Sequence, residues 1–214
     1  MQKGRVFVVF GNKGGTGKSM TAAHLAVYLK GQGRAVAVLD LDARQGDSMG
    51  FFEKRKDGTP VCAPVDTAEL DKMLGSMSAA GADVVVDCPP ADSPLSLRAC
   101  DYANALVMPF RAGANDARAL GRAIRIASQS QTVNGTPRLL SVVNFLQPST
   151  RDSKALMALL QSSDLFQFMG SIGQRTAFND AIRQGKAVWE TAPGSVAAQE
   201  AWDVCGSIHA AIKL

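Results

Sequence analysis

A glycine-rich loop that follows an apolar run most constrains how this chain can fold. Residues 6–10 (VFVVF) have the composition of a buried strand, and residues 12–19 (NKGGTGKS) come almost directly after them. Glycines let the backbone turn tightly with its N–H groups pointing inward, and a helix that begins there adds the positive end of its dipole. The segment therefore predicts a strand, an anion-binding loop and a helix in succession.

The side chains of this loop suit the phosphates of a nucleotide. Lys18 can reach the β- and γ-phosphates, and the Ser19 hydroxyl can ligate Mg²⁺, as the Lys-Ser pair of a P-loop does. Asn12 stands where the ordinary P-loop pattern has glycine, and Lys13 is a second lysine that the phosphate cradle does not need. A glycine-lysine turn without a ligand is the alternative. The predicted nucleotide-binding residues of the loop are Asn12, Lys13, Gly14, Gly15, Thr16, Gly17, Lys18, Ser19 and Met20.

Aspartates follow two later apolar runs. One run leads into Asp40 and Asp42, and the other leads into Asp87. Ligands of an open parallel sheet lie at the carboxyl ends of its strands, where a carboxylate can hold Mg²⁺ directly or through water. For each aspartate alone, a strand-end cap is the preferred interpretation, but together with the loop they predict a metal site. The predicted metal-site residues are Ser19, Asp40 and Asp87.

These segments resemble the ParA/MinD family of ATPases, whose P-loop departs from the ordinary pattern. KGGTGKS is similar to the family's loop, VLDLDARQGDS to its first switch, and VVVDCPP to its Walker B segment and second switch. The resemblance implies that Lys13 crosses a dimer interface to the partner's phosphates and that Asp42 orients the attacking water. It also implies that Asn144 contacts the adenine base, for which a buried turn asparagine is the alternative. The catalytic residues that it implies are Lys13, Lys18 and Asp42.

The order of apolar runs predicts the fold class. Strand-like and helix-like runs alternate along 214 residues, which predicts a single α/β domain, 1–214, of the P-loop NTPase fold: a mainly parallel twisted sheet with helices on both faces. The expected strands are 5–10, 35–40, 83–87, 104–109, 138–144 and 168–172. The expected helices are 17–31, 66–79, 93–101, 115–130, 152–162, 177–184 and 195–212. Residues 46–64 predict a surface helix followed by a short loop or an edge strand.

The sequence lacks the residue patterns that several classes of protein require. No apolar run approaches the roughly 20 residues that span a bilayer, and the N-terminus leads at once into the first strand, so we expect a cytoplasmic protein. The 4 cysteines lie too far apart for a C-x-x-C zinc pattern. With only two histidines, the chain has few candidates for the general base of a Ser-His-Asp or Cys-His mechanism. Phosphate chemistry on magnesium does not need a histidine.

Basic residues favour nucleic acid over membrane as the partner surface. The net charge of +4 permits DNA binding, and the family resemblance implies DNA contacts from two clusters. A solvated charged face is the alternative, and it is the preferred interpretation of the stripe Arg118, Arg122 and Arg125. Contacts from charges alone would be sequence-nonspecific and salt-dependent, and would make the protein nucleoid-associated. The predicted DNA-contacting residues are Arg151, Lys154, Arg175, Arg183 and Lys186.

The charges of the last predicted helix disfavour membrane binding. Its polar side carries Glu200 and Asp203, and acidic flanks repel anionic lipid. We therefore expect this helix to pack on the sheet, with Trp202 in the core.

The resemblance leads to one hypothesis and several alternatives. The hypothesis is a Mg²⁺- and ATP-dependent ATPase that dimerises when ATP is bound, binds nonspecific DNA, and positions a plasmid, a chromosome region or a protein cluster. A ParB-like or other adaptor protein would stimulate its hydrolysis. The alternatives are a MipZ-like division regulator, which the segment DLDARQGDSMGFFEKR resembles, a metabolic P-loop enzyme of the dethiobiotin-synthetase or cobyrinate-amidase type, and a nitrogenase iron protein.

Overall fold

A single all-parallel sheet organises the protein. The computed structural model describes residues 3–11, 13–42, 47–63, 66–90, 93–112, 121 and 135–212. The strands are β1 (Val6–Val9), β2 (Val36–Asp40), β3 (Val61–Cys62), β4 (Asp83–Asp87), β5 (Ala105–Phe110), β6 (Arg138–Leu146) and β7 (Gln167–Gly173), in the sheet order β3-β2-β4-β1-β5-β6-β7. The helices are α1 (Lys18–Gly31), α2 (Asp47–Arg55), α3 (Thr67–Ala79), α4 (Pro94–Cys100), α5 (Arg151–Gln161), α6 (Thr176–Arg183), α7 (Val188–Thr191) and α8 (Val196–Ala211). This architecture confirms the predicted α/β class and P-loop NTPase fold.

Helices cover both faces of the sheet, which explains the continuous apolar runs of its strands. Strands β1 and β4 are buried along their whole length, as expected for a parallel sheet with two covered faces. Helices α1, α2, α6, α7 and α8 pack on one face, and α3, α4 and α5 pack on the other. Helix α1, which follows the glycine-rich loop, and helix α2 therefore share a face.

The element predictions hold where the sequence pattern is long and regular. The predicted strands are present within about two residues, and Val61–Cys62 forms the edge strand that was one of two options for that segment. Helix α7 was not predicted, because four residues are too short to show a helical period. The predicted helix 115–130, with Arg118, Arg122 and Arg125, lies outside the described residues.

The last helix packs on the sheet as predicted, but the expectation that Trp202 is a core residue is wrong. Ala201, Cys205 and Ile208 face the core, whereas Trp202 remains 40% exposed. One helical position beyond Ala201 is about 100° around the axis, which brings Trp202 to the rim of the buried face. The centres of the Trp202 and Tyr28 rings are 4.8 Å apart, and the two rings meet edge to face. Among the described helices, none combines the length and hydropathy needed to cross a membrane.

Candidate functional site

The register of three central strands brings the glycine-rich loop and the aspartates together. Strand β4 lies between β1 and β2, so that Asp87 is paired with Val9 on one side and with Asp40 on the other. The chain leaves β1 at this edge and forms the loop there. The carboxyl ends of the three strands thus place the predicted phosphate and metal residues at one edge of the sheet.

Two glycines shape the loop by adopting left-handed backbone conformations. Gly15 has a φ of 73° and Gly17 a φ of 85°, values that favour glycine strongly. Gly17 is the residue before α1, and a Cβ atom added to it would lie 2.7 Å from Nδ2 of Asn144. Glycine at position 17 is therefore required both by its backbone angle and by the close approach of β6.

Lys18 is held inside the loop with its ammonium group directed at the backbone. The residue is only 7% exposed, and its Nζ donates a hydrogen bond of 3.2 Å to the carbonyl oxygen of Lys13. Burial lowers the pKa of Lys18, and the nearby carboxylates of Asp87 and Asp42 oppose this shift. Lys13 itself is half-buried in the same turn. A buried cation beside a loop rich in N–H groups is suited to a polyphosphate.

The two strand-end carboxylates are held in different ways. Oδ1 of Asp40 accepts the N–H of Asp42 at 3.0 Å, and its Oδ2 accepts the N–H of Met49 at 3.2 Å. Oδ2 of Asp87 accepts the hydroxyl of Ser48 at 2.8 Å, whereas its Oδ1 is buried and has no hydrogen-bond partner among the described residues. An orphaned buried carboxylate oxygen indicates a missing ligand, since such groups are otherwise satisfied.

The electrostatics of Asp87 point to the same conclusion. Burial raises the pKa of Asp87 to about 7; the hydroxyls of Ser19 and Ser48 oppose the shift, while the charge of Asp40 reinforces it. Burial also raises the pKa of Asp40, against the N–H bonds that it accepts. A divalent cation would stabilise the ionised form of both groups, and the oxygen donors of this site are those that Mg²⁺ prefers. Ser19, Asp40 and Asp87 therefore fit the predicted metal.

Ser48 is a site residue that the sequence analysis missed. It is 1% exposed and lies in the first turn of α2, six positions after Asp42. No residue pattern in that segment singles out this serine, because its role depends on where α2 begins. Its place as the last residue of the segment VLDLDARQGDS is the signal that could have indicated it.

A cavity of about 600 Å³ opens in front of the loop, which is an ordinary size for a small-molecule site. Its polar side is formed by the loop, Asp42 and Asp47, and its apolar side by Met20, Phe51 and Ile182. The predicted loop residues that line it are Gly14, Gly15, Gly17, Lys18, Ser19 and Met20. Asn12 lies outside the described residues, and Thr16 is buried behind the loop.

Asn144 supports the loop from behind. Its side chain is fully buried, and its Nδ2 donates to the carbonyl oxygen of Thr16 at 2.9 Å and to the hydroxyl of Thr21 at 3.0 Å. Its Oδ1 is buried and has no hydrogen-bond partner in the part of the chain that the structure describes. These contacts join the end of β6 to the loop and to α1, so that Asn144 positions the loop; a direct contact with the base stays a prediction.

A second cavity of about 690 Å³ adjoins the first at Phe145. Phe145 has a φ of 56°, which is rare for an aromatic residue and typical of functional sites. The guanidinium of Arg111 lies 5.1 Å from the centre of its ring. Gln174 and Asn179 line the opposite side. An aromatic ring and amide groups beside a phosphate loop could accommodate a nucleotide base.

The predicted DNA-contacting residues fall into two places. Arg151 and Lys154 are exposed in the first turn of α5, and Arg175 precedes α6 at the same edge of the sheet. Arg175 is partly neutralised, since its guanidinium binds Glu200 at 2.8 Å. Arg183 pairs with Asp180 but stays 74% exposed at the far end of α6. The remaining member, Lys186, is exposed nearby.

The comparisons with known proteins show the family of this chain. The family model of the CobQ/CobB/MinD/ParA nucleotide-binding domain matches residues 7–188. The chromosome-partitioning ATPase Soj of Thermus thermophilus is 30% identical over 139 residues, which are 51% of this chain and 56% of Soj. An ATP complex of a McdA variant from Cyanothece has a TM-score of 0.78 at 20% identity, covering 100% of this chain and 99% of McdA. Cobyrinic acid a,c-diamide synthase from Mycobacterium smegmatis, with an ATP analogue and magnesium bound, has a TM-score of 0.67 at 21% identity, covering 87% of this chain and 92% of the synthase. The chain therefore belongs to the CobQ/CobB/MinD/ParA family of nucleotide-binding domains, as the resemblance of its loop and switches implied.

Proposed function

We propose that the protein is a Mg²⁺-dependent ATPase that dimerises with ATP bound and positions a cargo on nonspecific DNA. One observation carries the nucleotide part of this proposal. The buried ammonium of Lys18 lines the cavity, and Asp87, whose Oδ1 has no partner among the described residues, directly precedes the lining residue Cys88. A Mg²⁺–triphosphate bound there would give the ammonium an anion and the carboxylate a cation. ATP and Mg²⁺ are the ligands of solved structures with the same fold.

The loop and the carboxylates divide the chemistry between them. The N–H groups of Gly15 to Ser19 and the ammonium of Lys18 would bind the phosphates and stabilise the charge that develops during transfer. Magnesium, held through Ser19 and Asp87, would supply further positive charge at the phosphates. Asp42 is half-buried at the same cavity, where it could orient an attacking water.

Dimerisation follows from the second lysine of the loop. Lys18 would serve the phosphates of its own subunit, and the family resemblance implies that Lys13 contacts the triphosphate bound by a partner. A contact that exists only with both nucleotide and partner present makes dimerisation depend on ATP. The dimer would combine the basic residues of two subunits and bind DNA with avidity, placing the protein on the nucleoid. Hydrolysis, stimulated by a ParB-like or other adaptor protein, would reverse both steps.

A DNA retardation experiment in ATP, in ADP and without nucleotide tests this proposal. We expect the wild type to bind DNA only with ATP, and Lys13→Ala to lose binding because the dimer cannot close. Asp42→Ala should retain ATP-dependent binding, since blocked hydrolysis traps the dimer. Lys72→Ala is the control, because Lys72 is an exposed lysine of α3 on the other face of the sheet. Equal binding in all three nucleotide states would overturn the proposal.

A further inference from the structure

Helix α2 joins the predicted metal site to a distant basic turn. At its start, the hydroxyl of Ser48 donates to Asp87 at 2.8 Å, and the N–H of Met49 donates to Asp40 at 3.2 Å. Its nine residues form a rod of roughly 13 Å, at 1.5 Å per residue. Its first turn, which includes the last two residues of the segment VLDLDARQGDS, is thus attached to both predicted metal-site carboxylates.

The other end of α2 is attached to α7 by a two-point ion pair. Nη1 and Nη2 of Arg55 lie 2.6 and 2.9 Å from the two carboxylate oxygens of Glu190. Glu190 also accepts the N–H of Ala187 at 2.7 Å and so fixes the start of α7. Two parallel hydrogen bonds define both distance and orientation, which a single contact would not.

The turn between α6 and α7 also lies directly on the backbone of α2. A Cβ atom added to Gly185 would be 2.7 Å from the backbone nitrogen of Arg55 and from the carbonyl oxygen of Phe51. Only a glycine permits this approach, and its φ of 65° adds to the requirement. The same turn carries Lys186 and follows Arg183, two of the predicted DNA-contacting residues.

We propose that α2 transmits occupancy of the Mg²⁺–nucleotide site to the turn 184–187, with the Arg55–Glu190 ion pair as the connecting contact. The inference rests on the proposed function. A nucleotide in the cavity would contact the wall made by α2, and a cation on Oδ1 of Asp87 would weaken Oδ2 as the acceptor of the Ser48 hydroxyl. A rigid helix with both ends attached carries the resulting displacement to the basic turn. Arg55 and Glu190 are accordingly positioning residues, not catalytic ones.

Tryptophan fluorescence can test this coupling without DNA. The chain has 2 tryptophans, and Trp202→Phe leaves Trp189, which is next to Glu190 and 5.4 Å from the ring of His24. In this background we expect a non-hydrolysable ATP analogue with Mg²⁺ to change the emission of Trp189. Adding Glu190→Gln should reduce the amplitude of that change by more than half, with nucleotide affinity within about twofold. Arg55→Gln should act in the same way and provides a second, independent variant.

Arg98→Gln is the matched control. Arg98 forms an equivalent two-point pair with Asp71, with both distances 2.8 Å, on the opposite face of the sheet. Its loss should leave the emission change intact. In DNA binding, Glu190→Gln should lower the ratio of the affinities measured with ATP and with ADP, while Arg98→Gln should not.

The outcomes separate this inference from the proposed function. An undiminished emission change in both Glu190→Gln and Arg55→Gln would overturn the coupling, as would calorimetric binding of the Mg²⁺–nucleotide without any change at Trp189. In either case the proposed ATPase function would stand. Failure of the wild type to bind the Mg²⁺–nucleotide would overturn the proposed function and, with it, this inference.

Discussion

Gly15 and Gly17 share a left-handed backbone but differ in what surrounds them. An added Cβ at Gly15 would meet no atom of the described residues within 4 Å, whereas one at Gly17 would lie 2.7 Å from Nδ2 of Asn144. The strain of a left-handed alanine is therefore common to both substitutions, and the steric conflict belongs to Gly17 alone. The loop sequence alone does not distinguish the two glycines.

The first prediction compares Gly15→Ala with Gly17→Ala. Gly15→Ala should lower the free energy of unfolding by roughly 1 kcal/mol, the penalty of a left-handed residue with a side chain. Gly17→Ala should lower it by about 3 kcal/mol, because Asn144 must also withdraw and leave buried groups of the loop unsatisfied. Urea unfolding without nucleotide measures both. Equal decreases in the free energy of unfolding would show that Asn144 of β6 does not restrict the side chain at position 17.

At the residue scale, the sequence identified the groups that carry charge and missed those that only support them. Lys18 and Asp87 could be predicted because loop spacing and strand ends mark such residues, and the structure brings the loop and the end of β4 to the same edge of the sheet. Ser48 and the loop-facing role of Asn144 could not, because both depend on long-range packing. Their partners are 39 and 128 residues away in the sequence. Local patterns contain no information about contacts of that range.

At the scale of elements, a buried histidine joins α1 to α7. Nδ1 of His24 lies 2.8 Å from the carbonyl oxygen of Met20, and its Nε2 accepts the N–H of Val188 at 3.1 Å. These bonds require the neutral ring with its proton on Nδ1. Helix α7 thus has an anchor on the P-loop helix as well as on α2, which explains how a four-residue helix without a sequence signature forms at all.

The second prediction concerns the pH dependence that this histidine creates. Burial lowers the pKa of His24 from 6.5 to about 4. Between these values the unfolded chain binds a proton that the folded protein excludes, so stability is fully present above about pH 6.5 and falls toward pH 4. At 1.36 kcal/mol per pKa unit, the loss is about 3 kcal/mol.

The test compares wild type with His24→Gln across this pH range. Asp87, whose pKa is raised to about 7, contributes in the opposite direction, but it does so in both proteins and cancels in the difference. The stability advantage of the wild type should therefore shrink between pH 6.5 and 4, as followed by chemical unfolding. A difference that does not vary with pH would contradict the assigned burial of the ring.

The same contrast of local pattern and packing holds for elements. The long helices and central strands were predictable because their periods extend over many residues. The exposure of Trp202 was not predictable, because the apolar stripe of α8 is wide and its edge cannot be located from the sequence. Helix α7 was not predictable because it is too short to show a helical period. Both features belong to one aromatic cluster, in which Trp189 lies 5.3 Å from Trp202.

At the scale of the whole molecule, a buried ion network connects the two ends of the described chain. The carboxylate of Asp83 at the start of β4 binds the guanidinium groups of Arg5 and Arg34, each through two hydrogen bonds. Arg5 also donates to the carbonyl oxygen of Ile212 at 3.0 Å, which attaches the end of α8 to the sheet. This edge lies opposite the nucleotide site, so its contribution is to stability and not to chemistry.

Asp83→Asn is therefore expected to destabilise the fold strongly without altering the loop. Burial alone would raise the pKa of Asp83, but the hydrogen bonds from Arg5 and Arg34 outweigh it and lower the pKa to about 2. Removing the negative charge leaves Arg5, which is 5% exposed, as a buried cation without a counter-ion, and such a change costs about 3–5 kcal/mol. Asp71→Asn is the control: its partner Arg98 is 38% exposed, so its loss should cost less than about 1 kcal/mol.

The loss of stability at low pH provides an independent test of this ion network. Because the pKa of Asp83 is lowered from 3.8 to about 2, its contribution is fully present above about pH 4 and disappears as the pH falls through about 2. Over that interval the wild type should lose roughly 2 kcal/mol of its free energy of unfolding. Asp83→Asn lacks this contribution at every pH, so the stabilities of the two proteins should converge in acid. If they stay parallel, or if Asp83→Asn and Asp71→Asn cost the same at neutral pH, the network does not join the two ends of the fold.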